Sequence, residues 1–113
     1  MSTIDVVEKA LDLRARYHKV LAGNIANVET PNYKEKDIDF QKEMGRNVGG
    51  GLTSVEIKES TDGDVIGSID GNTVNMENQI VKLTENSMFF TSLVQVIGKK
   101  LSMMKYAISE GKR

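Results

Sequence analysis

Apolar positions in this chain fall into two long helical stripes, with a different pattern between them. In the C-terminal region Met76, Ile80, Leu83, Ser87, Phe90, Val94, Ile97, Leu101, Met104 and Ile108 alternate spacings of four and three, and nine of the ten are apolar. Such a repeat keeps one face of a helix against a neighbour, so it predicts a single long helix with a coiled-coil seam. At about 1.5 Å per residue, some 33 residues make a rod of roughly 50 Å. Asn75 fits the N-cap and Glu77 the first turn, while Lys99, Lys100 and Lys105 lie toward the C-terminal half; both suit the helix dipole. Gly98 is the weak helix former of the run and leaves room for a neighbouring backbone.

The N-terminal stripe is Ile4, Val7, Leu11, Arg14, His18, Leu21, Ile25 and Val28, six of eight positions being apolar. Val6, Ala10, Leu13, Tyr17 and Val20 form a second row beside it. A helix with so broad an apolar face needs more than one neighbour. Pro31 pushes Thr30 toward extended geometry, so this helix should end by about Val28 or Glu29.

Between the stripes the period changes. Residues 31–72 hold seven of the ten glycines and the only proline. "LTSVEIKES" (52–60) alternates loosely enough for a short strand, and "TDGDVIGSIDGN" (61–72) reads as strand pieces broken by Asp-Gly turns. The segment is a loop or small β excursion, ordered or disordered. Three regions follow: an N-terminal helix (1–29), an excursion (30–72) and a long C-terminal helix (73–113). The expected fold is mainly α, its two long helices pairing as a coiled-coil-like unit. Two such helices leave apolar surface that neither can cover, so the chain calls for a partner.

Composition narrows the chemistry. The 113 residues make one small domain with no cysteine, which removes disulfides, thiolate metal sites and cysteine nucleophiles. Net charge is −1, giving no general drive toward nucleic acid or anionic membrane. No apolar run reaches the ~20 residues of a membrane span, and the N-terminus lacks the pattern of a cleaved Sec-type signal. His18, the single histidine, sits on a helical stripe with no nucleophile or orienting acid in an evident pattern. "EKDID" (35–39) supplies three carboxylates without calcium-loop spacing and reads as a solvated loop. No catalytic residue, metal ligand, cofactor or small-molecule substrate is expected.

The stretch "NIANVETPNYK" (24–34) is harder to dismiss. Asn32 suits a turn, but Asn24 and Asn27 lie a turn before the helix stop, where asparagine is a mediocre helix former. Their amides donate and accept, and so can bind exposed backbone of a packed neighbour.

"LAGNIANVETPNYKEKDIDF" (21–40) closely resembles the N-terminal signature of bacterial flagellar rod and hook proteins, whose shared element is Asn-Ile-Ala-Asn, a spacer, Thr-Pro or Thr-Gly, then Tyr-Lys. Asn24, Ile25, Ala26, Asn27, Thr30, Pro31, Tyr33 and Lys34 carry the match. Within that family "GNTVNMENQIVKLTENSMFFTSLVQVIGKKLSMMKYAI" (71–108) looks like the proximal rod subunits, although the middle is shorter than expected. The resemblance implies a non-enzymatic structural subunit of the basal-body rod in the periplasmic space, exported by the flagellar type III apparatus without a cleaved signal. Implied partners are other copies of the chain, neighbouring rod proteins and the ring-to-rod adaptor. The implied assembly seam comprises Ile4, Val7, Leu11 and Leu21 with Met76, Ile80, Leu83, Phe90, Val94, Ile97, Leu101, Met104 and Ile108. Asn24 and Asn27 would fix its register. Phe40 and Met44 in "FQKEM" resemble an export-gate motif. The rival expectations are another flagellar axial protein and a free-standing helical adaptor or export chaperone.

Overall fold

The structure is a computed structural model and describes residues 3–46, 55–60 and 71–111. Its elements in order are α1 (Thr3–Ala26), β1 (Lys36–Asp37), α2 (Phe40–Gly45), β2 (Lys58–Glu59) and α3 (Met76–Gly111). The fold is mainly α, with two long helices and a short two-stranded excursion between them, as the hydrophobic pattern predicts. α3 is one unbroken helix of 36 residues. Asn75 caps it: its Oδ1 accepts from the Asn78 N–H at 3.1 Å, and its carbonyl accepts from the Gln79 N–H at 3.0 Å.

α1 and α3 run antiparallel, since Asn24 meets Gln79 while Arg14 meets Asn86. The molecule is a rod measuring 70 × 26 × 16 Å. The core sits toward one end of it. Tyr17, Leu21 and Ile38 are buried together, and Val20, Phe40, Val55 and Leu83 pack around them. Both rows of the α1 face therefore reach this core, Leu21 from one and Tyr17 and Val20 from the other.

The excursion departs from the expectation at several points. Only Lys58–Glu59 forms a strand within the described part of 52–60, pairing antiparallel with Lys36–Asp37. The glycine run at 49–51 and nearly all of the second stretch (61–70) lie outside the described residues. "EKDID" is not a solvated loop: it contains β1, and Ile38 within it is buried. Alternation carries one apolar side chain inward there, which a reading by charge misses. α2, a six-residue helix, is unforeseen. Asp39 caps it by accepting from the Lys42 N–H at 3.2 Å, and Lys9 of α1 donates to the Arg46 carbonyl at its far end at 2.9 Å. α1 ends at Ala26, followed by the turn through residues 27–29.

Candidate assembly interface

At the end of α1 the signature asparagines act on their own chain. Asn24 is fully buried. Its Oδ1 accepts from the Lys36 N–H at 3.0 Å, and its Nδ2 donates to the Lys36 carbonyl at 2.8 Å and to Gln79 Oε1 at 2.9 Å. One amide thus closes both backbone groups of a strand residue and ties them to α3. Gln79, also fully buried, donates onward to the Glu35 carboxylate, and the Tyr33 hydroxyl reaches Asn24 Oδ1 at 3.4 Å. Asn27 does something different. Its Nδ2 donates to the Gly23 carbonyl of its own helix at 2.8 Å, and its Oδ1 accepts from the Thr30 hydroxyl at 3.0 Å. Of the two amides, Asn24 reaches a packed backbone and a second helix, whereas Asn27 bonds only within its own helix end. Packing turns them inward because the chain reverses over its own helix end.

That reversal is held from the other side by Asn72, whose Nδ2 reaches the carbonyls of Asn27, Val28 and Thr30 at 2.7–3.1 Å. These are carbonyls of the turn that follows α1, two of which, Asn27 and Thr30, also accept backbone N–H groups within it. Asn32 takes a left-handed φ of 62°, and Gly71 (φ 76°) lies so close that a Cβ there would collide with the Asn32 side chain. Lys34 donates to the Gly71 carbonyl at 2.7 Å. Thr30, Pro31, Tyr33 and Lys34 therefore shape one turn, while Ile25 is half-buried and Ala26 exposed.

Further along the helix pair, Arg14 lies with its guanidinium carbon 3.8 Å from the Phe40 ring centre and 4.4 Å from that of Phe89, and donates to Asn86 Oδ1 at 3.3 Å. Burial lowers its pKa from the ordinary value. Phe40 also packs edge-on against Tyr17, whose own pKa is raised by burial first and then by its bond to Asp37. Asn86 returns a bond to the Arg14 carbonyl at 2.9 Å. Among the described residues every buried side-chain nitrogen or oxygen has a hydrogen-bond partner. Sequence reasoning overlooked Gln79, Asn86 and Asn72. Gln79 and Asn86, seven residues apart, share one face of α3, and that spacing is the signal that could have found them; Asn72 precedes the helix and no helical period points to it.

The seam residues divide between inside and outside. Val7 and Leu21 are buried within the chain, and Ile4, Leu11, Leu83 and Ile97 are half-buried. Met76, Ile80, Phe90, Val94, Leu101, Met104 and Ile108 are exposed, Val94 by 46% and Leu101 by 52%. Every residue from Gly98 to Gly111 is exposed. An added Cβ at Gly98 would meet open space, so no backbone of this chain occupies the room it leaves. Phe40 and Met44 lie one turn apart on α2, both half-buried. His18 is exposed, at the lip of a cleft of about 450 Å³ between α1 and α3 floored by Ala15, Asn86 and Phe90. Among the described residues there is no cluster of three His, Cys, Asp or Glu fit to hold a metal, and no helix is long and apolar enough to cross a membrane.

Fold and surface together define a helical-hairpin protein, locked by buried amides at one end and presenting an open apolar stripe along the other. No protein-family model matches the chain. Flagellar basal body rod protein FlgB of Salmonella typhimurium is 34% identical to it over 125 aligned positions, covering 92% of this chain and 91% of the relative. The FlgB of Cereibacter sphaeroides is 32% identical, covering 93% and 92%, and that of Bacillus subtilis 28%, covering 97% and 95%. The chain belongs to the FlgB family of flagellar basal body rod proteins.

Proposed function

We propose that the chain is a proximal rod subunit that assembles through its terminal helices into a helical tube and transmits torque along it. The observation carrying this reading is the exposed apolar stripe of α3, from Met76 to Ile108, on a chain whose relatives are named as rod proteins. A contiguous apolar face of this length marks an interaction surface. Head-to-tail repetition of such a contact makes an open helical assembly rather than a closed ring. Its partners are other copies of itself, neighbouring rod proteins and the ring-to-rod adaptor, and its place is the periplasmic rod. The chain acts as a structural subunit, a reading supported by relatives named as rod proteins.

Deleting the gene and complementing with wild type or Val94→Asp tests this. Rods and hooks should return with the wild type only, because the aspartate puts a charge into the stripe. Complete basal bodies in the deletion strain would favour a free-standing adaptor, which should also form a defined low-order oligomer when purified.

Delivery by the flagellar type III apparatus, with Phe40 and Met44 read by its gate, belongs to the same proposal. In the folded chain Phe40 lies against Arg14 and Tyr17, so the gate would read it before folding. Phe40→Ala should lower secretion without lowering expression. Loss of packing alone predicts the opposite sign, since a less stable chain threads more easily; unchanged secretion removes the motif from the account.

A further inference from the structure

Arg14 sits half-buried where α1, α2 and α3 meet. Its guanidinium lies on the rings of Phe40 and Phe89 and donates to Asn86 Oδ1, and it forms no ion pair among the described residues. With Ala10, Phe40, Met44, Phe89 and Leu93 it lines a cleft of about 290 Å³ between the three helices, and among the described residues no acid lies on the wall. A cation in such apolar surroundings gains most from a carboxylate, which can take both arms of the guanidinium fork. A surface of the opposite character runs along the outside of α3. Buried Gln79 and Asn86 mark the side of this helix turned into the chain. On the far side Glu77, Val81, Glu85 and Met88, spaced four, four and three, form one stripe. Val81 is 55% and Met88 66% exposed, and both glutamates are exposed. Neither carboxylate makes an ion pair or hydrogen bond among the described residues.

We infer that this stripe on a second copy of the chain covers the cleft, with Val81 and Met88 against its apolar wall and Glu85 between them paired with Arg14. The inference rests on the rod reading and adds to it which surface meets which. A second copy is the occupant because one chain carries both the basic apolar cleft and the acidic apolar stripe. Height along the rod agrees: Asn86, next to Glu85, bonds Arg14, so the acid and the arginine are level. Copies standing side by side and pointing the same way therefore bring them together with little axial shift. Glu77, two turns from Glu85, extends the negative charge along the contact. The stripe and the cleft are different surfaces of the molecule, so each contact leaves one of each free and the array continues.

Glu85→Gln removes a charge from an exposed position, so it should leave the urea midpoint of the free chain unchanged while lowering rod yield several-fold in a deletion strain. Arg14→Met keeps an apolar side chain between the two rings and should lower rod yield by a similar factor. The two changes together should lower it no further than either alone, the mark of a pair that acts as one. Losses that multiply overturn the inference, as does full rod yield from Glu85→Gln. A second readout keeps Arg14 intact. The chain has no cysteine, so Gln41→Cys on the rim of the cleft and Met88→Cys on the stripe can be placed on separate full-length chains and expressed together. Oxidised basal bodies should then yield a cross-linked dimer, and neither variant should yield one when expressed alone. Monomer from the pair overturns the inference. Dimer from Met88→Cys alone also overturns it, since the stripes would then pack on each other. If wild-type chain is missing from purified basal bodies, the rod reading itself has failed.

Discussion

Asn24 does the most with the fewest atoms. It bonds both backbone groups of Lys36 and reaches Gln79 across the helix pair. Truncation at this site leaves a buried N–H, a buried carbonyl and the Gln79 amide without their partner. Each such group costs about 1–3 kcal/mol, so Asn24→Ala should destabilise the chain by roughly 3 kcal/mol, allowing for partial rescue by water. Asn24→Asp is the sharper comparison: it keeps the acceptor for the Lys36 N–H, loses both donated bonds and places a charge near Glu35. It should be no less damaging than alanine. Asn27→Ala, whose bonds lie within one turn, should cost at most about 1 kcal/mol. Urea midpoints of the three variants check this ranking, and equal midpoints for Asn24→Ala and Asn27→Ala would remove Asn24 from its central place.

The long helices were legible because their period is strict over many turns, and residue type alone sets it. The excursion was not. α2 runs for six residues and each strand for two, too short for a period to emerge, and what holds them is side-chain chemistry acting at a distance. Lys9 of α1 caps α2, and Glu43 of α2 is buried with its Oε1 accepting from the Glu56 N–H at 3.1 Å. The signature asparagines stand out in the sequence, but their partners depend on where the chain folds back, which no local pattern encodes. Charge also holds the excursion, and this gives it an acid limit. The Lys42 backbone N–H first, then Lys58, holds the Asp39 carboxyl below its usual value; the Lys42 side chain does the same for Glu56. Folded-state pKa values below the unfolded ones mean the contribution is present above about pH 4 and lost as pH falls through the depressed values. The excursion should therefore loosen below about pH 4. Amide shifts of Lys42 and Lys58 followed by NMR would show it, and a transition centred above the ordinary carboxylate range would reverse the sign.

Across the whole molecule, burial and exposure are separated along the rod. The fully covered residues, Leu13, Leu21, Asn24, Gln79 and Asn86, lie between the middle of α1 and the first third of α3. None of the residues from Gly98 to Gly111 is covered. A helical end of this length is marginal by itself, because isolated helices shorter than about 12–15 residues barely hold in water. It persists by propagation from the locked part, so its helicity should decline toward Gly111 in the free chain. Hydrogen exchange on the purified monomer should find Leu13–Asn24 and Gln79–Asn86 protected and Leu101–Gly111 exchanging within about tenfold of a free peptide. In isolated basal bodies the same C-terminal amides should become slow. Uniform protection to Gly111 in the monomer would mean the end needs no neighbour. Unprotected Leu13–Asn24 would mean the amide lock forms only on assembly. In the expected case the buried amides aim a helix whose last turns are completed by the next subunit, so the order of each copy depends on the one that follows it.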